Sequence, residues 1–329
     1  HPLYIRLMQS FDSLNIKELI QSPDIKQLCN GSTRVNKFDN EVINPLDIHI
    51  DNSGKIAYRE TESFSSLDLL INYPFDYTMK YLASFSDSRS FTLPDMIPTK
   101  GSVAHEVIHR MFEDCKMNAS AVKDMLIEKY DMYFNDAVEH VGAILFQKEN
   151  QIDAQLLKVQ LKEAIITLVD IITENKLSVE GLEYEITKPL ESLPNITGKL
   201  DMRLKDGNGR LHVFDFKWSE IKKYNDLLKD NKAMQLELYA ALLSKETDNT
   251  NIGKSYFILP HHTLLTTNVE LKGKNVRIVR VDDTSSLMEK IKNSFAYRKS
   301  QISLGTIEMA EGMSLEDIKY HNDEAEKNL

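Results

Sequence analysis

Two short apolar segments, each carrying one acid, constrain this chain more than any other feature. Residues 196–204 contain Gly198-Lys199-Leu200-Asp201, and residues 211–217 end in Val213-Phe214-Asp215-Phe216-Lys217. Asp206-Gly207-Asn208-Gly209 between them is a turn signal, so the pair reads as a β-hairpin. Side chains two apart in a strand share a face. Asp215 and Lys217 therefore lie side by side, while Phe214 and Phe216 face the other way. The adjacent strand can bring Asp201 to the same spot. Two carboxylates on neighbouring strands make a hard oxygen site suited to Mg²⁺ or Mn²⁺. A lysine beside them can hold or deprotonate a water and stabilise charge on a phosphoryl oxygen. Taken alone, the same pattern also describes a hairpin whose polar face is solvated, with Asp215–Lys217 as a surface ion pair.

The surrounding pattern is helical before this hairpin and mixed after it. A helix is predicted from Ser65 or Ser66 toward Phe85, interrupted at Pro74. Residues 93–98 read as a loop, and a helix follows Gly101-Ser102, with Val103, Val107, Ile108, Met111 and Phe112 at helical spacing. Further helices are predicted over 119–141 and 153–174, a strand over 182–187, and a helix over 231–244. Strands over 255–259 and 276–281 and a helix over 287–298 complete the order. The fold class is α/β, with helices packed on a small central mixed sheet. Residues 1–60 are loop-rich and read as an N-terminal extension.

Bulk properties narrow the function classes. The 329 residues carry a formal net charge of −10, which disfavours coating nucleic acid by charge alone but leaves room for a local basic groove. Lys199, Arg203, Lys205, Arg210, Lys222, Lys223, Lys229 and Lys232 are candidates for such a rim. No stretch approaches the roughly 20 apolar residues of a membrane helix. His1-Pro2-Leu3-Tyr4 lacks the pattern of a signal peptide. With only two cysteines, Cys29 and Cys115, a disulfide framework is excluded. A cytoplasmic location is expected.

Two more segments join the hairpin. Gly101-Ser102-Val103-Ala104-His105-Glu106 offers a histidine near a helix start, either a neutral metal ligand or a satisfied capping-region histidine. Gln235 and Tyr239, four apart, share a helix face. With Phe64-Ser65-Ser66-Leu67-Asp68, Tyr73-Pro74-Phe75-Asp76-Tyr77 and Tyr81-Leu82 ahead of them, these features resemble, in order and spacing, the AddB/RecB-type branch of the PD-(D/E)XK nuclease superfamily.

That resemblance implies a restriction-endonuclease-like core over residues 61–312 and a C-terminal helical tail over 313–329. It makes residues 1–60 an extension or the end of an upstream helicase-related module. It implies that His105, Asp201, Asp215 and the carbonyl of Phe216 bind the metal, that Lys217 acts on the attacking water, and that Gln235 and Tyr239 orient Lys217 or the DNA backbone. The implied activity is that of a DNA exonuclease in a helicase–nuclease for double-strand-break repair and recombination, with DNA and a helicase subunit as partners. Relatives with an iron–sulfur cluster carry a cysteine where this chain has Tyr73, and three more near the C-terminus. No cysteine follows Cys115 here, so the cluster's roughly four thiolates are missing and no such cofactor is expected.

Two rival readings remain. His105-Glu106-Val107-Ile108-His109 is a literal H-E-x-x-H, the zinc-binding turn of metallopeptidases. Zinc catalysis needs a third ligand, and Arg110-Met111-Phe112 replaces the extended motif that would supply one; Glu128 on the next predicted helix could serve, but nothing else recommends it. The other rival is a nuclease-like module that binds DNA or a partner without cutting it.

Overall fold

The structure is a computed structural model that describes residues 59–84, 95–247 and 250–308, with the backbone alone of Asp47–His49. The 313–329 tail and nearly all of the 1–60 extension lie outside the described residues. The chain runs β1 (Asp47–His49), β2 (Thr61–Ser63), α1 (Phe64–Asn72) and α2 (Pro74–Tyr77), then a π-helical turn (Thr78–Leu82). Four helices follow: α3 (Met96–Asp114), α4 (Ala119–Glu128), α5 (Tyr130–Val141) and α6 (Gln151–Glu174). Strands β3 (Ser178–Pro189), β4 (Asn195–Lys205) and β5 (Leu211–Lys217) precede α7 (Ile221–Lys229) and α8 (Met234–Thr247). The last elements are β6 (Gly253–Ile258), β7 (Thr263–Thr266), β8 (Val276–Ile278), α9 (Leu287–Ser303) and β9 (Thr306–Glu308).

Local chemistry explains where these elements start and stop. Ser63, rather than Ser65 or Ser66, caps α1: its hydroxyl accepts the N–H of Ser66, and the Ser66 hydroxyl accepts the N–H of Ser63. Pro74 ends that helix and opens α2 at its first position, where a missing N–H costs nothing. The expected loop over 93–98 is corrected in part, because Met96, Ile97 and Pro98 already belong to α3. Pro98 falls in the first turn, whose N–H groups have no intrahelical acceptor anyway. His105 thus stands in the middle of a helix and not at its start. The predicted helix over 119–141 divides at Lys129, where φ is −130°. Helix α7 and strands β2 and β7 were not anticipated; the two strands are too short to show alternation.

Among the described residues the central sheet has seven strands, so it is larger than expected. Its order is β2-β4-β5-β6-β7-β8, with β3 along the other edge of β4. Strands β4 and β5 form the predicted hairpin, with Met202 opposite Phe214 and Lys205 opposite Leu211. The turn is set by Asp206, whose carboxylate accepts the N–H groups of Asn208 and Arg210, while Gly209 takes φ +82°. Strand β5 pairs in parallel with β6 after the crossover through α7 and α8.

Two apolar layers cover the sheet. Helices α3 to α6 pack with Met202, Leu204, Phe214, Phe216 and Phe257 on one face. Helices α1, α7, α8 and α9 pack with Ile196, Leu200, Val213, Tyr256 and Ile258 on the other. Within the described residues no helix is long and apolar enough to cross a membrane.

Candidate active site

One edge of β4 is shared by two partners. Its first residues, Asn195 to Thr197, pair with β2, and Met202 to Lys205 pair with β5. Between them β4 parts from β5, and Asp201 sits at the fork. Its Oδ2 accepts the backbone N–H of Phe216 at 2.6 Å, in place of a strand-to-strand bond.

Alternation breaks at the same level. Leu182 and Met202 are opposite one another and pack in the first layer; Tyr184 and Leu200, two residues away, pack in the second. Residues two apart should share a face. The slip falls on Glu183 and Asp201, and Glu183 takes φ +48°, a left-handed conformation that is strained for a residue with a long side chain. The distortion aims both carboxylates at His105. Glu183 Oε1 lies 3.3 Å and Asp201 Oδ1 3.5 Å from His105 Nδ1. The other ring nitrogen lies 3.3 Å from the carbonyl of Phe216. One ligand atom from each of His105, Glu183 and Asp201 fits within 4.8 Å of the others, a spacing a single cation can bridge.

Asp215 and Lys217 stand beside this group, on the face toward α8. The Lys217 ammonium is 2.7 Å from Asp215 Oδ2 and donates to Gln235 Oε1 at 2.9 Å. Gln235 Nε2 in turn donates to the Tyr239 hydroxyl at 3.0 Å. Gly198 makes room for this helix: a Cβ there would come within 2.8 Å of the Tyr239 ring. Sequence-derived candidates His105, Asp201, Asp215, Phe216, Lys217, Gln235 and Tyr239 are therefore brought together, but Asp215 is turned to Lys217 and is outside the three-ligand group.

The electrostatics separate the two halves. Burial raises the Asp201 pKa to about 7, with repulsion from Asp215 adding to it and His105 and Lys217 opposing it. Burial works against the His105 imidazolium, but Asp201, Glu183 and Asp215 outweigh it and lift its pKa to about 9. Glu183 is lowered to about 2, chiefly by its bond to His105. Burial also opposes the Lys217 charge, yet Asp215 foremost among its neighbours holds the pKa above the usual lysine value. A divalent cation fits this donor set. Asp215 is fully buried; Lys217 occupies its Oδ2, and among the described residues its Oδ1 accepts no hydrogen bond. An oxygen-seeking ion satisfies such an orphaned acceptor.

A groove of about 950 Å³ opens onto the site, with His105, Glu183, Lys199, Lys217 and Lys223 among its walls. Of the basic rim candidates, Lys199 and Lys223 reach it. Arg203, Arg210 and Lys229 are instead paired with Glu246, Glu270 and Asp282. The zinc motif does not assemble: Glu106 is held by Arg110, and His109, at the groove's rim, approaches Glu113 at 4.0 Å and is absent from the convergent group.

Sequence reasoning missed Glu183. By simple alternation it shares a side with Glu185 and looks like an ordinary strand carboxylate. Its place opposite Asp201 follows only from the β3–β4 register, in which each pair from Gly181↔Arg203 to Pro189↔Asn195 keeps one offset.

The family model of the PD-(D/E)XK nuclease superfamily matches the chain over residues 61–314. No curated protein matches it at a significant level.

Proposed function

The chain belongs to the PD-(D/E)XK nuclease superfamily, and on that premise we propose that it is a metal-dependent DNA exonuclease. The observation that carries this reading is the meeting of His105, Glu183 and Asp201 within 4.8 Å, beside the Asp215–Lys217 pair. Mg²⁺ or Mn²⁺ is the fitting ion: His105, Glu183 and Asp201 would hold it, the carbonyl of Phe216 lies beside them, and Asp215, turned to Lys217, would lend its remaining oxygen. When bound it supplies Lewis acidity toward a phosphoryl oxygen and eases ionisation of a water.

The chain's own groups do the rest. The Phe216 N–H fixes the Asp201 carboxylate, so one oxygen is oriented by backbone and the other is left for the ion. Lys217 keeps its proton and acts as a cation. It holds the attacking water or steadies the negative charge that grows on the phosphate; its raised pKa disfavours a role as base. Gln235 anchors the ammonium, and Tyr239 fixes which end of the Gln235 amide faces it.

The five segments that resemble the AddB/RecB-type branch support a finer setting: the nuclease part of a helicase–nuclease in double-strand-break repair and recombination, working in the cytoplasm with a helicase subunit or an upstream helicase-related module. The test is incubation with linear and circular DNA in Mg²⁺, Mn²⁺ or EDTA. Metal-dependent loss of linear DNA, with circular DNA spared, is expected. Equal cutting of both forms makes it an endonuclease, and DNA binding without cleavage in either metal sinks the enzymatic reading.

A further inference from the structure

The groove over the site has mixed walls. Beside the charged residues it is lined by the apolar side chains of Ile97 and Pro98 of α3, Trp218 and Pro260. Ile97 is 67% exposed. Trp218 follows Lys217 directly and is the chain's only tryptophan. Part of its side chain packs against the first apolar layer, and the rest borders the groove. A half-buried indole seated on a core is a rigid surface on the groove wall, and it is placed one residue from the group that attends the reacting phosphate.

The charges around it suit a polyanion better than their sum suggests. Two carboxylates on the groove wall are paired with cations, Glu106 with Arg110 and Glu183 with Lys199 at 2.6 Å, and the exposed Glu220 lies 3.0 Å from His261. Lys223 adds a cation on the same wall. These cations offset much of the wall's negative charge where phosphate would lie. An apolar shelf beside a phosphate site matches the shape of a nucleotide, with its charged backbone and flat apolar base.

We propose that Trp218 is a stacking platform for an unpaired nucleobase next to the scissile phosphodiester, and that it directs the enzyme to single-stranded DNA. This rests on the nuclease reading above and extends it to substrate class. A base inside a duplex has both faces covered by its neighbours, whereas an unpaired base can offer a face to the indole. Stacking on an aromatic side chain tolerates any base, which gives strand-state selectivity without sequence preference.

The lone tryptophan makes the contact directly observable. In EDTA, so that no cleavage occurs, a single-stranded oligothymidine should quench the intrinsic tryptophan fluorescence. An abasic strand of equal length and a closed duplex dumbbell should not. In Mg²⁺, Trp218→Ala should raise KM for the oligothymidine by roughly 5- to 100-fold, the worth of one stacked base, and by more than it lowers kcat. Trp218→Phe should restore most of that loss, and metal binding by calorimetry checks that each variant is folded. Quenching by the abasic strand or the dumbbell equal to that by oligothymidine overturns the proposal. So does cleavage of single strands with no quenching and no KM change in Trp218→Ala, which would leave the nuclease reading intact. Base-dependent quenching without cleavage in any metal would support the base site and defeat the catalytic reading.

Discussion

The two halves of the site are built on opposite principles. His105, Glu183 and Asp201 crowd two acids around one imidazole at a strained fork in the sheet; His105 holds its proton against the ionised Glu183, and burial pushes the Asp201 carboxyl up to about 7. Asp215, Lys217, Gln235 and Tyr239 form a relay whose ammonium is already paired and anchored. Helix α3 brings His105 to the first half from one face of the sheet, helix α8 brings Gln235 and Tyr239 to the second from the other, and the strand acids meet them where β4 leaves β5 at Asp201. The contrast teaches a division of labour. The first half is unfinished without a cation, whereas the second is organised before anything binds. Substitutions should therefore split into those that lose metal and those that lose rate.

Lys217→Ala tests the preorganised half and should have the largest effect. The variant should fold and bind Mg²⁺ with near-unchanged affinity, while the cleavage rate falls by about 10²–10⁴-fold, the usual scale for a lost charge-stabilising or acid–base group. Lys217→Arg should rescue only in part, because a planar guanidinium cannot take the place of a compact ammonium between Asp215 and Gln235. Single-turnover kinetics with calorimetric metal titration separates the two quantities. A parallel loss of metal affinity would erase the distinction between the halves.

Glu183→Gln tests the unfinished half. It removes a charge from the cluster and should weaken Mg²⁺ binding by about 10–100-fold, the range seen when groups around a metal's ligands are changed. The rate should recover at saturating metal, since the Lys217 relay is untouched. Unchanged affinity would mean that Glu183 serves only to hold His105 and Lys199.

The same half predicts a pH dependence with a definite sign. In the metal-free protein Asp201 titrates near 7 and His105 near 9, both above their ordinary values. Near neutral pH the cluster therefore carries protons that a cation must displace. Mg²⁺ affinity should rise with pH, gently from 7 to 9 as His105 alone gives up its proton, and more steeply below 7, where Asp201 is protonated too. From pH 7 to pH 6 the affinity should drop by well over the roughly tenfold per unit of one proton, toward the roughly hundredfold of two. Calorimetry in buffers of different ionisation enthalpy reads the released protons. A flat profile would mean that the cluster is not where the ion sits.

Much of this contrast was legible in the sequence on one side and hidden on the other. Asp215 and Lys217 could be placed by period-two alternation in a strand whose boundaries, Leu211–Lys217, match the expectation. Helical spacing put Gln235 and Tyr239 on one face, and the family resemblance singled them out. Asp201 could be set beside them because the Asp206–Gly209 turn signals its hairpin. Glu183 was invisible because its role depends on a break in alternation, and backbone strain leaves no mark in composition. His105 was found, but its helix was started too late, since Pro98 reads as a breaker unless the helix is known to begin just before it.

Tyr239→Phe probes the far end of the relay and should have a small effect. It removes the acceptor of one neutral hydrogen bond from Gln235 Nε2. Such a bond is worth about 0.5–1.5 kcal/mol, so the rate should fall by roughly 2- to 12-fold with metal affinity unchanged. A loss as large as that of Lys217→Ala would mean that Tyr239 itself reaches the substrate.

His109→Ala should change least. His109 is one helical turn beyond His105 on α3, and a metallopeptidase of the H-E-x-x-H kind would need both on one zinc ion. In this fold the two part company. His105 faces Glu183, Asp201 and the Phe216 carbonyl, while the nearest acid to His109 is Glu113 on its own helix. Glu106, the would-be base, is engaged by Arg110. Nothing ties His109 to either half of the site, so its removal should alter metal affinity and cleavage by about twofold or less, as for surface changes worth no more than half a kcal/mol. His105→Ala in the same assay should lower metal affinity. Equal and complete loss of a peptidase activity in both variants would overturn the division of labour and replace the nuclease with a zinc enzyme.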